Sequence, residues 1–287
     1  MVHLSSDTQQ GTDEWDVPLG GLQGLARVML ERTHVEAAVA EVRFVSDQGE
    51  LPESIATEIW KALGTENFPI FEPANQVMVT LTITPEGPQQ SQHAQQGWLL
   101  ATSDRATAVT LLPATVIVQT RNYARYSRSL AEPLAKVLDL FTAATGVALV
   151  QRLGLRYINR LAEDDADTPA FWRDHIREPF AGPLNGDVAD LVAGVHQQVQ
   201  LKLADTAGAR IQCGVFEASQ VGHVESANYN YLVDLDVFRE QATPYDATMT
   251  ANMVRQLNRT ALALFATVLS DQYLAKLSPI PAEPTEQ

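Results

Sequence analysis

Leu153-Gly154-Leu155-Arg156-Tyr157-Ile158-Asn159-Arg160 is the stretch whose reading decides the fold. At strand spacing Arg156, Ile158 and Arg160 share one face, and Leu155, Tyr157 and Asn159 share the other. Strand interiors rarely carry two guanidinium groups unless these are paired or hold a ligand. The segment therefore predicts a strand over 147–161, half buried, with an acidic loop (Glu163, Asp164, Asp165, Asp167) directly after it.

Upstream, Val35, Ala37, Val39 and Glu41 alternate before the turn Ser46-Asp47-Gln48-Gly49, which favours a strand over 35–44. Pro52 and Glu53 open a helix with Ile55, Ile59, Trp60 and Leu63 on one face and Gly64 as its stop. Strands are predicted over 77–84, 97–103 and 106–120, the last interrupted at Pro113. The Gln- and Pro-rich stretch 85–96 reads as a polar surface loop. Leu134, Val137, Leu138 and Phe141 mark an amphipathic helix over 130–145, ended by Gly146.

Downstream, 168–183 is a proline-punctuated connector. Residues 192–203, 209–218 and 228–238 alternate as three antiparallel strands, and 247–277 is one long helix. A strand-then-helix unit ending in Leu138-Asp139-Leu140-Phe141 has an echo in Leu262-Ala263-Leu264-Phe265. The expected fold is α+β, with two antiparallel sheet halves each packed by amphipathic helices. The expected division is an N-terminal arm and short helix (1–32), a first α+β domain (33–167), the connector (168–183), a second α+β domain (184–277) and a disordered tail (278–287).

Thirty-five acidic residues against 20 basic ones give a formal charge of −15. Such a balance repels nucleic acid and anionic membrane at long range, so nucleic acid is an unexpected partner. Cys213 is the single cysteine, which excludes an intramolecular disulfide and a cysteine-rich zinc site. The six histidines are scattered without metal-ligand spacing, so no metal or cofactor is expected. The N-terminal segment lacks a basic-then-apolar leader, and no run is apolar enough to span a bilayer, which predicts a cytoplasmic protein with no membrane association.

Candidate ligand- or partner-binding residues are Arg43, Arg156, Tyr157, Asn159 and Arg160, with Glu36 and Glu41 as charge-network partners. Two arginines two positions apart on a strand sit roughly 6.5–7 Å apart, suited to a polyanion or to two separate carboxylates. A structural charge network is the stronger of those two readings. Asp234 and Asp236 share a strand face that a solvent-facing position explains. Arg121-Asn122-Tyr123-Ala124-Arg125-Tyr126-Ser127-Arg128 is the one basic-aromatic cluster: it suits stacking on bases and equally suits holding the start of the following helix. No catalytic residues are assigned.

Val35-Glu36-Ala37, Glu41-Val42-Arg43-Phe44 and the Leu153–Arg160 segment together resemble a sporadically distributed, functionally uncharacterised family of bacterial and phage proteins. The resemblance covers roughly residues 33–275. It implies an accessory, horizontally moving gene and carries no catalytic residues with it. The function expected from the whole sequence is a non-enzymatic interaction protein with a protein partner: an antitoxin-like, immunity or chaperone-like factor, with homo-oligomerisation left open. The alternatives are a nucleotide- or phosphate-ligand protein or enzyme on strand-borne arginines, and a phage structural or assembly protein.

Overall fold

In the computed structural model, residues 34–46, 49–84, 87–218 and 228–277 are described, with the backbone alone for 76–94. The arm and short helix of 1–32 and the tail 278–287 lie outside them. Nine strands form one sheet: β1 Val35–Phe44, β2 Ile70–Thr84, β3 Gly87–Ala101, β4 Thr107–Leu112, β5 Thr115–Thr120, β6 Leu149–Leu161, β7 Val195–Lys202, β8 Ala207–Glu217 and β9 Tyr229–Pro244. Their spatial order is β2-β3-β4-β5-β1-β6-β9-β8-β7, and each adjacent pair is antiparallel. The α+β expectation is met by a single sheet. The two strand sets predicted as separate halves are joined along β6, which pairs with β1 on one side and β9 on the other.

Period-two patterning places the core on one face. Ala38, Ala40, Val42 and Phe44 of β1 are buried, as are Leu153, Leu155 and Tyr157 of β6 and Val233, Leu235 and Val237 of β9. Against them pack α1 (Glu53–Leu63), α2 (Glu132–Thr145), α4 (Ala247–Val268) and α5 (Asp271–Leu277), while a one-turn α3 (Glu178–Ala181) sits in the connector. Phe44 stacks on Phe141 of α2 at 5.8 Å, and Trp172 meets both Tyr231 of β9 and Tyr273 of α5 at 5.9 Å. The alternate residues of β1, β6, β9, β8 and β7 form a second, polar face.

Two element predictions need correction. The loop expected over 85–96 is mostly strand: β3 pairs with β2 from Thr84↔Gly87 to Ile70↔Ala101, so the Gln-rich stretch is one arm of a long hairpin. The helix expected over 247–277 breaks at Leu269 and Ser270. There Arg177 N–H donates to the Val268 carbonyl, Arg177 Nε to the Leu269 carbonyl and Ser270 N–H to the His175 carbonyl, so the connector takes backbone groups that a continuous helix would use internally. Pro113 does interrupt its strand, between Leu112 and Thr115.

Candidate functional site

The pleat of β6 sorts the predicted residues onto two faces. Arg152, Arg156 and Arg160 project to the polar face, beside Glu41 and Arg43 of β1 and Asp234, Asp236 and Glu240 of β9. Arg156 grips Asp234 with two parallel bonds, Nε at 2.8 Å and Nη2 at 2.5 Å, and this hydrogen bond raises its already high pKa. Arg152 reaches Glu41 at 2.6 Å, Glu240 at 3.4 Å and Asp236 at 3.5 Å, with its guanidinium 5.0 Å from the Phe238 ring centroid. Arg43 pairs with Glu41 at 2.8 Å, and Arg160 with Glu36 at 3.9 Å.

Each of these arginines thus has a carboxylate: Glu41 for Arg43, Glu36 for Arg160, and Asp234 in place of either glutamate for Arg156. Arg152, Asp234 and Asp236 complete the ladder and were not among the candidates. Burial pushes the Asp236 carboxyl up, against the pull of Arg152, Arg210 and Arg156. The gap between Arg156, Arg210, Gln212, Asp234 and Asp236 measures about 30 Å³, too small for a nucleotide.

Tyr157 and Asn159 face the core instead. The Tyr157 hydroxyl donates to Asn258 Oδ1 of α4 at 2.7 Å, and Asn159 Nδ2 donates to the Val233 carbonyl at 3.1 Å. Asn159 is therefore satisfied by the sheet itself. Burial pushes Tyr157 well above its ordinary pKa and raises the Cys213 thiol, so neither is poised to ionise near neutrality. Among the described residues no group of three or more His, Cys, Asp or Glu side chains is placed to hold a metal ion.

Tyr157 leads to a second cluster. Its ring meets Tyr123 edge-on at 5.5 Å, and its hydroxyl reaches the turn of α4 that carries Arg255 and Arg259. The 121–128 segment follows β5 and runs into a π-helical turn, Ser127–Ala131, continuous with α2. Ala124 N–H donates to Ser129 Oγ, and Ser129 N–H to the Arg125 carbonyl, both at 2.9 Å, which fixes the segment. Tyr126 is half-buried; burial pushes its pKa up to about 12 despite the opposing charge of Arg255.

Arg125, Arg128, Arg255 and Arg259 are all exposed, and among the described residues none has a carboxylate within ion-pair distance. Arg255 and Arg259 stand one helical turn apart on one face. The positive end of the 127–145 helix opens beside Arg125 and Arg128. The basic-aromatic segment seen in the sequence is thus completed by two arginines from a distant helix, a pairing that only the tertiary fold reveals.

No family model and no curated protein matches the chain. Among solved structures, a rolling circle replication initiator protein from Geobacillus stearothermophilus is similar at 11% identity and a TM-score of 0.30, over 86% of this chain and 96% of that one. A replication initiator is not the non-enzymatic antitoxin-like, immunity or chaperone-like factor that the sequence led us to expect. The likeness is too distant to lend this chain the initiator's activity.

Proposed function

We propose that this protein binds single-stranded nucleic acid at the junction of the 121–131 segment and α4. The observation that carries the reading is the set of four exposed arginines, Arg125, Arg128, Arg255 and Arg259, that among the described residues have no carboxylate partner, in a chain of charge −15 whose β1 and β6 arginines are matched to carboxylates. Guanidinium groups without carboxylates suit phosphates, and the partly exposed Tyr123 and Tyr126 beside them supply ring surface for bases. The proposal departs from the expectation drawn from net charge: long-range repulsion sets the rate of encounter, while local pairing sets what stays bound. A cytoplasmic setting, supported by the single cysteine, and kinship with the family that shares the Leu153–Arg160 segment are proposed on the same footing.

Fluorescence anisotropy with a labelled oligothymidylate tests it. Four phosphate contacts give a slope of log K against log salt of about −2.8, falling to about −1.4 in the Arg255→Ala/Arg259→Ala variant. Absence of binding at low salt, or undiminished binding by that variant, overturns the proposal.

A further inference from the structure

We infer that the base of the β2–β3 hairpin carries a second, separate binding site, for the ring of an uncharged sugar. Trp60 of α1, Phe71 of β2 and Trp98 of β3 form a continuous stack, with centroids 4.9 Å apart at each step and interplanar angles of 14° and 3°. Both indoles are locked: Trp60 Nε1 donates to the Phe68 carbonyl at 2.6 Å and Trp98 Nε1 to the Leu51 carbonyl at 3.1 Å. Trp98 ends the stack and forms one wall of a half-open cavity of about 310 Å³. Pro73 stands opposite Trp98 in the strand register and Asn75 opposite Gln96, so the cavity lies on the side of Trp98 away from Phe71.

The polar groups around that ring define the ligand. Asn75, Gln96 and Glu50 are exposed, and among the described residues their side chains make no hydrogen bond or ion pair. Two amides offer donors and acceptors together, the pairing that vicinal hydroxyls require, and the carboxylate adds acceptors. Among the described residues no lysine, arginine or histidine lines the cavity, which disfavours phosphates and carboxylates. The C–H face of a pyranose carries partial positive charge and packs on the negative face of an indole. The volume lies at the small end of ligand cavities, about 300–1,000 Å³, which suits one ring. A platform already fixed by two indole hydrogen bonds loses little freedom on binding.

Saturation-transfer NMR on the full chain with glucose, galactose, mannose and N-acetylglucosamine, beside adenosine and uridine, tests the assignment. Transfer to the ring C–H protons of at least one sugar is expected. Asn75→Ala/Gln96→Ala, two exposed positions that leave the stack intact, should raise its Kd at least tenfold, and Trp98→Leu should abolish transfer. Three results overturn the inference: no transfer from any sugar, transfer unchanged in Asn75→Ala/Gln96→Ala, or transfer confined to the nucleoside bases. The Arg255→Ala/Arg259→Ala variant should bind the sugar as the parent does, so this site and the nucleic-acid site stand or fall separately.

Discussion

Arg152 holds three carboxylates at once, and its side chain is only 13% exposed, so its removal is the most informative single change on the polar face. Asp236 would lose its ion-pair partner and Glu41 would keep only Arg43, while the more exposed Glu240 would matter little. Arg152→Met is expected to lower stability by about 3 kcal/mol, measured by urea unfolding near neutral pH. The deficit should depend on pH. Burial already raises the folded-state pKa of Asp236, and losing Arg152 removes a charge that pulls it down. A carboxyl titrating higher in the folded than in the unfolded state binds its proton first in the fold, so stability falls as pH rises through that window. The Arg152→Met deficit should therefore shrink as pH falls toward the carboxylate range, and a pH-independent deficit would refute this account. Arg156 and Arg160 were legible in the sequence because alternation exposes misplaced charge. Arg152 was not, because its partners Asp236 and Glu240 are fixed only by the register of β6 against β9.

Elements were legible where packing follows local pattern and obscure where it does not. The alternation of β7, β8 and β9 and the apolar stripe of α2 reported their structures directly. The β2–β3 hairpin was hidden because its Gln-rich arm lacks the apolar alternation that marks a half-buried strand. The break between α4 and α5 was hidden because its cause, the backbone of His175 and Arg177, lies far away in sequence. The β7–β8 pair offers a test at this scale. A Cβ on Gly214 would lie 1.8 Å from the Val195 carbonyl oxygen, so the strands can approach only because position 214 has no side chain. Gly214→Ala should detach β7, read as lost hydrogen-exchange protection over 195–202 with β6 and β9 still protected. Unchanged protection of β7 would show that the strands adjust instead.

One sheet with helices on one side makes the molecule a single cooperative unit, because β6 cannot lose β1 without exposing the core it shares with β9. Thermal unfolding should show one transition, coincident by near-ultraviolet and far-ultraviolet circular dichroism. Leu138→Ala and Leu235→Ala, on either side of β6, should both lower that same midpoint; two separable transitions would argue for independent halves. The one-faced architecture also explains why the arginine cluster escaped a linear reading: α4 is the last long helix, yet it crosses back to β6 and the 121–131 segment. Strand order has a further consequence, in time. β1 is the first of these strands in the chain, but Val39 waits for Gln119 on one side and for Arg156 on the other, and β6 waits in turn for β9. Pairings so distant along the chain make for slow folding, so the nascent protein must keep β1 unpaired until β5 has been made and half-paired until β6 follows.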